Sequence, residues 1–229
     1  MRVALFVTCL NDTLYPRTGK SVVTLLRRLG CDVGFPEGQT CCGQMHFNSG
    51  YRPAAARLGR RFGREFAGYD AVVTPSPSCA GMIRDQYPVL GLAAGAPVYE
   101  LSEFLVDVLD VIDVGAVFPR RVSYHPTCHS LRALRVGDRP RRLLAAVAGL
   151  QLIELPAADA CCGFGGMFAI KNAAVSEAML ADKVAAVGAA GPEVLCALDN
   201  SCLMQIGGGL SRAGSPVQVL HLADILAAQ

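Results

Sequence analysis

The chain has 229 residues, a formal net charge of +2, 52% hydrophobic residues and 17% charged ones. That length buries a substantial core and accommodates two modest halves or one larger domain. So little charge, so nearly balanced, argues against the strongly basic surface that nucleic acid demands.

Val3 to Thr8 is an apolar, β-branched run that predicts a buried strand ending at Cys9, followed by a loop over Leu10 to Pro16. Apolar residues at Val22, Leu25, Leu26 and Leu29 predict a helix from Thr18 to Leu29, stopped by Gly30. A short strand at Cys31 to Phe35, a loop carrying Cys41-Cys42-Gly43, and a helix from Pro53 to Phe66 come next. Asp70 to Thr74 reads as a second strand, broken by Pro75 and Pro77, which delivers Cys79 to the start of a helix reaching Gln86. A strand at Pro97 to Glu100 and a helix from Ser102 to Ile112 close the first half.

The order then replays. A strand at Arg121 to His125 leads to Cys128 and a helical region, then to a helix at Pro140 to Ala148 and a strand at Gln151 to Glu154. The loop with Cys161-Cys162-Gly163 follows, then a helix from Lys171 to Val187, a strand at Glu193 to Leu198, and a helix begun by Cys202. Matching cysteines are offset by 119 (Cys9 and Cys128), 120 (Cys41 and Cys161, Cys42 and Cys162) and 123 (Cys79 and Cys202). Val98, Leu101, Glu103 and Leu105 match Val219, Leu222, Asp224 and Leu226 at a constant offset of 121. The expectation is an α/β protein of two pseudo-symmetric repeats, residues 1–118 and 119–229, built from parallel βαβ units. In such units ligands sit beyond the carboxyl ends of the strands, where Cys9, Cys79, Cys128 and Cys202 all fall.

Ten cysteines require a compartment before they can be interpreted. The apolar start is too short for a signal-peptide core, and the longest apolar stretch, around Leu143 to Ile153, is too short to span a bilayer. A cytoplasmic location is expected, where thiols stay reduced and clustered cysteines bind metal or do redox chemistry. Adjacent cysteines in an extended chain point to opposite sides, so each pair can address one centre only if the backbone turns, which Gly43 and Gly163 permit. Four thiolates per half suit zinc or an iron–sulfur cluster. The chain lacks the Cys-x2–4-Cys knuckles usual in structural zinc sites, which favours iron–sulfur. Inert burial or a disulfide are the other readings of these eight, and Cys31 and Cys196, which have no counterpart in the other half, read as small core hydrophobes.

One cysteine, a Cys-Cys-Gly and a distal cysteine, twice over, resemble the cysteine-rich CCG domain found in heterodisulfide reductase and in the iron–sulfur component of glycolate oxidase. Leu14-Tyr15-Pro16, Cys41-Cys42-Gly43-Gln44, Pro75-Ser76-Pro77-Ser78-Cys79, His125-Pro126-Thr127-Cys128-His129 and Cys161-Cys162-Gly163-Phe164-Gly165-Gly166 are together similar to the lactate utilization protein A family. The resemblance spans essentially the whole chain. It implies an iron–sulfur electron-transfer subunit, with one or two [4Fe-4S] clusters, of a cytoplasmic complex that oxidises L-lactate to pyruvate. The implied partners are a ferredoxin-like iron–sulfur subunit and a third small subunit. It also leaves two alternatives: a thiol/disulfide reductase of the heterodisulfide type, and a structural zinc scaffold. The heterodisulfide enzyme's motif has a fifth cysteine, where this chain has Ser76 and Asp199. Each either offers an oxygen near a cluster or has a local structural task, Ser76 breaking a strand and Asp199 capping a helix.

His46, His125 and His129 lie close to proposed ligands and can donate to cluster sulfur, tune a potential or take up a proton; solvation or packing is the alternative. His221, where the first half has Glu100, reads as structural. The glycines after Cys162 miss the dinucleotide fingerprint because Phe168 stands where glycine is required. Arginines at 57, 60, 61 and 64, and at 132, 135, 139, 141 and 142, either dock an acidic partner or form ordinary solvated faces.

Overall fold

A computed structural model describes residues 1–229 and shows an α/β chain of two compact units, Met1–Val111 and Ile112–Gln229. The first unit runs β1 (Arg2–Leu5), α1 (Cys9–Leu14), α2 (Pro16–Arg28), β2 (Asp32–Gly34), α3 (Gln44–Asn48), α4 (Arg52–Glu65) and β3 (Ala71–Thr74). It continues through α5 (Pro77–Gly81), a π-helical turn at Met82–Gln86, α6 (Tyr87–Val89), β4 (Val98–Glu100), α7 (Leu101–Glu103) and a π-helical turn at Phe104–Val108. The second unit runs β5 (Arg121–His125), a π-helical segment at His129–Leu134, α8 (Arg139–Ala145), β6 (Gln151–Ile153), α9 (Met167–Lys171) and α10 (Ala173–Ala190). It ends with β7 (Val194–Ala197), α11 (Asn200–Arg212), β8 (Gln218–His221) and α12 (Leu222–Leu226). No helix is long and apolar enough to cross a membrane.

Each unit holds one four-stranded, all-parallel sheet, in the order β2-β1-β3-β4 and β6-β5-β7-β8. Every residue of β3 and of β7 is buried, as strands covered by helices on both faces require. In both sheets the strand order reverses beside the first strand, so the crevice of a doubly wound sheet opens between β1 and β3, and between β5 and β7. Cys9 follows β1 and Cys79 follows β3, while Cys128 and Cys202 follow β5 and β7. The topology therefore delivers the single cysteines to the switch point of each sheet.

The strand expected over Val3 to Thr8 ends at Leu5, because a side chain takes over the pairing. Gln39 accepts from the Val7 amide (2.9 Å) and donates to the Leu5 carbonyl (3.2 Å), acting as a short stand-in strand. The loop expected over Leu10 to Pro16 is instead helix α1 and the first residue of α2. Its polar residues form no helical stripe, yet Asn11 faces inward, 1% exposed, with its amide near the Pro75 carbonyl (3.5 Å). The single helix expected over Lys171 to Val187 is two helices, interrupted at Asn172 (φ −129°, ψ 49°). The short helix α3 directly after Gly43 has no apolar periodicity to announce it.

Equivalent strand ends are capped by different chemistry. Glu100 caps α7, accepting from the backbone and hydroxyl of Ser102, and Glu103 returns the bond to the Glu100 amide (3.1 Å), forming a capping box. At the matching point His221 caps α12, its Nδ1 accepting from the Ala223 amide (3.0 Å) while Nε2 donates to the Leu198 carbonyl (2.7 Å). His221 is thus a structural residue, fully engaged on both nitrogens. Glu100 is wholly buried, its Oε1 has no partner, and burial raises its pKa from 4.5 to about 7. The folded state therefore holds this proton more tightly than the unfolded chain does. Stability is complete below about pH 4.5 and declines as pH rises through about 7, by roughly 3 kcal/mol in all. Urea denaturation between pH 5 and pH 8 is expected to show that decline, and Glu100→Gln to flatten it.

Candidate metal centre

In the first unit the four sequence-distant thiols form one connected chain. Cys9 is hydrogen-bonded to Cys41, Cys41 to Cys42, and Cys42 to Cys79, the last at 3.2 Å between sulfurs. In the second unit Cys128 bonds to Cys161, Cys161 to Cys162, and Cys162 to Cys202. The structure thus gathers all eight expected residues, four per unit. Cys42, Cys79 and Cys162 are buried, whereas Cys9 is exposed and Cys41, Cys128, Cys161 and Cys202 are partly so, giving each set a deep end and a solvent rim. All ten cysteines are free thiols; Cys31 and Cys196 are buried as small hydrophobes and take no part in either connected set.

The vicinal pairs address one point because the chain turns beneath them. Gly43 and Gly163 sit at φ +88° and +86°, and their amides lie 3.4 Å from the sulfurs of Cys41 and Cys161. In each set the first cysteine of the pair is the natural thiolate. Bonds from Cys42 and Cys9 hold Cys41 well below the ordinary thiol range, and bonds from Cys128 and Cys162 do the same for Cys161. Their neighbours are pushed up: Cys42 and Cys162 by the bond to that thiolate, by the bond to the distal cysteine and by burial, Cys9 and Cys128 by the thiolate and burial. One thiolate held by bonds from two neighbouring cysteines, with the distal cysteine bonded to the second of the pair, is a set of soft donors from which a metal ion displaces protons, so the donors present fit a zinc or iron–sulfur centre.

Ser76 and Asp199 do local work at equivalent points. Ser76 caps α5, its Oγ accepting from the Cys79 amide (3.4 Å) and lying 3.1 Å from the Ser78 hydroxyl. Asp199 caps α11, accepting from the amide (3.4 Å) and hydroxyl (2.9 Å) of Ser201. Each orients the helix turn that presents the distal cysteine.

The walls behind the two sets differ. In the first unit Phe6, Phe62, Phe66 and Tyr87 form an aromatic cluster: Phe6 meets Phe62 edge-on at 5.0 Å, Phe62 stacks on Phe66 at 4.3 Å, and Tyr87 meets Phe62 at 5.8 Å. The Tyr87 hydroxyl donates to the Cys42 carbonyl (3.0 Å), tying the cluster to the cysteine loop. In the second unit His125 stands at the position of Phe6 and Lys183 at that of Phe62, offsets of 119 and 121. Both are buried. Lys183 Nζ donates to the carbonyls of Ala157 (2.7 Å) and Ala158 (3.3 Å), and His125 Nδ1 lies 3.3 Å from the Ala158 carbonyl. Burial, then the nearby Lys183 ammonium, depress the imidazole pKa to about 4, so it is neutral. The loop before Cys161 is held by these side chains, as the loop before Cys41 is held by Gln39.

Gln39, Tyr87 and Lys183 carry the site's support, and no motif or spacing announces them. Lys183 alone leaves a signal: it falls with Ser176, Leu180 and Val187 on the buried stripe of α10, where an ammonium requires a partner. The arginine runs are partly committed within the fold, Arg61 Nε donating to the Gly38 carbonyl (2.7 Å) and Arg141 gripping Glu154 with both terminal nitrogens (2.7 and 3.1 Å).

The two glycines differ in the room around them. A Cβ on Gly163 would lie 2.5 Å from the Ser176 carbonyl oxygen, whereas one on Gly43 would meet backbone of Ala55 only at 3.3 Å. Both also require positive φ, which costs alanine about 1–2 kcal/mol. Thermal denaturation is expected to show Gly163→Ala losing clearly more stability than Gly43→Ala, and equal losses would contradict this packing.

The CCG cysteine-rich domain model matches the chain at residues 3–84 and again at 122–207. A lactate utilization protein A from Geobacillus kaustophilus is 47% identical, with 100% of each chain covered. A protein of the same name from Geobacillus thermodenitrificans is 46% identical over 99% of this chain and 98% of its own. Among solved structures, glutamate racemase from Francisella tularensis aligns over 99% of this chain and 77% of its own, at 11% identity and a TM-score of 0.38. With both copies of the cysteine domain matched and that identity held from end to end, the chain belongs to the lactate utilization protein A family.

Proposed function

We propose that the chain is an iron–sulfur electron-transfer subunit of a cytoplasmic complex that oxidises L-lactate to pyruvate. Cys9, Cys41, Cys42 and Cys79 hold one [4Fe-4S] cluster, and Cys128, Cys161, Cys162 and Cys202 a second. The observation that carries the reading is the convergence of four thiols in each unit at the sheet's switch point. When bound, such a cluster supplies one-electron transfer. The protein's own part is to fix the sulfurs, to bury one end of each set and to leave the other near solvent, where an electron-transfer partner can approach.

The lactate connection rests on the names of the relatives, and the partners proposed with it are a ferredoxin-like iron–sulfur subunit and a third small subunit. The capping roles of Ser76 and Asp199 support a four-thiolate site rather than the five-thiolate site of the heterodisulfide type. One observation favours a second reading, a zinc site in the second unit: donor atoms of His125, Cys162 and Cys202 lie within 4.8 Å of one another.

Iron, zinc and acid-labile sulfide measured on anaerobically purified protein separate these readings. The expected wild-type protein is brown, with iron and sulfide in equal amounts. Cys42→Ser and Cys162→Ser are each expected to lose about half of both, because each removes a deep ligand of one site and metal binding is coupled to folding. Full iron retention in both variants contradicts the assignment, and zinc without sulfide decides for the scaffold.

A further inference from the structure

We infer that Lys183 makes the two centres unequal in reduction potential: its buried ammonium, which the first unit replaces with an aromatic ring, holds the centre of the second unit at the higher potential. The inference rests on the iron–sulfur reading above and adds to it an order of reduction, in which an incoming electron settles first on the second centre.

Lys183 is 1% exposed and sits on the buried stripe of α10. Lysine seldom lies so deep, because the ammonium loses its hydration there and must find replacement partners. Its Nζ donates to the Ala157 carbonyl at 2.7 Å and to the Ala158 carbonyl at 3.3 Å, in the loop that leads into Cys161. Carbonyl oxygens accept those bonds but carry no full charge, so the counter-charge comes from elsewhere. Burial disfavours the ammonium, and the negative groups whose fields offset it are Cys162, Asp159, Cys128 and Cys161. Asp159 is exposed, where water screens it. The sulfurs of the second set are therefore the counter-charge that Lys183 meets within the fold.

The path from the ammonium to those sulfurs is short. The Ala158 carbonyl that accepts from Lys183 also lies 3.3 Å from His125 Nδ1, and a ring nitrogen of His125 is within 4.8 Å of the sulfurs of Cys162 and Cys202. One carbonyl and one imidazole ring thus lie between the charge and the deep end of the set. Coulomb attraction is mutual, so the field by which the sulfurs favour the ammonium is also the field by which the ammonium favours negative charge on the centre. Reduction adds one negative charge, and a fixed cation in a poorly screened interior raises the potential at which that happens.

At the matching position of the first unit Phe62 stacks on Phe66 at 4.3 Å and meets Phe6 edge-on at 5.0 Å. That wall brings no charge and, being apolar, disfavours an added electron. The sulfur sets are otherwise alike. Each has a glycine amide 3.4 Å from the first sulfur of its vicinal pair, and each has an exposed basic side chain acting on its rim, His46 on Cys41 and Arg132 on Cys128. Exposed charges are screened by water and salt, which leaves the buried ammonium as the difference in fixed charge between the two walls.

A redox titration followed by electron paramagnetic resonance, on anaerobically purified full-length protein, tests this. The wild type is expected to show two midpoint potentials. Cys42→Ser, which keeps the second centre, is expected to retain the higher one, and Cys162→Ser the lower. Lys183→Gln keeps a hydrogen-bond donor for the two carbonyls but removes the charge, so it is expected to move the higher midpoint down and leave the lower in place. Lys183→Arg, which keeps the charge, is expected to hold both near the wild-type values. A residue that only clasped the loop would leave both midpoints unmoved in Lys183→Gln. That result, or the reverse order of potentials in the two cysteine variants, overturns this inference and leaves the iron–sulfur reading standing. If Lys183→Gln loses the iron of the second unit, the order of potentials in the cysteine variants still decides. Absence of iron and sulfide from the wild type overturns both.

Discussion

Four sulfurs spread over the stretch from Cys9 to Cys79, or from Cys128 to Cys202, can share one small volume only if two conditions hold together: strand ends must bring the single cysteines in, and the vicinal pair must turn back on itself. The doubly wound order of each sheet meets the first condition by placing Cys9 and Cys79, or Cys128 and Cys202, beyond neighbouring strands. Gly43 and Gly163 meet the second, with a backbone conformation that side-chain-bearing residues rarely adopt. Everything else around the site serves to hold those two arrangements against each other. The Gln39 amide braces one cysteine loop, the Lys183 ammonium the other, and Ser76 and Asp199 set the pitch of the helices that carry the distal cysteines.

A duplicated frame need not keep duplicated chemistry. The sheets, the cysteines and the capped strand ends repeat almost residue for residue, yet the wall behind the sulfurs has diverged from aromatic packing to a buried imidazole and ammonium. Phe62 and Lys183 occupy matching positions on their helices, but one offers only contact and the other two hydrogen bonds and a charge. An apolar wall lowers the local dielectric around a cluster, while a polar one adds donors and positive charge, and the two are expected to set different electronic properties on otherwise similar sulfur sets.

Much of this is legible in the sequence because it rests on local signals. The strands are short apolar runs between breakers, the parallel sheet follows from their alternation with helices, and the cysteine register is visible as a repeat. What escapes depends on contacts between distant residues. Helix α1 hides behind polar residues, one of which is buried, and the break at Asn172 interrupts an apolar run with no proline or glycine to mark it. Gln39 finishes a strand with its side chain, which no periodicity can show. Proximity to the cysteines marks His125 in the sequence, but only the fold shows that its Nδ1 faces the Ala158 carbonyl and that its Nε2 is buried without a hydrogen-bond partner.

The central claim, that each unit gathers thiolates around a soft metal, is tested most directly by iron-edge X-ray absorption on the full-length protein purified without oxygen. The account predicts a first shell dominated by sulfur together with iron–iron scattering from a cluster. A shell of oxygen and nitrogen alone, with no metal neighbour, would show that these sulfurs hold no such centre.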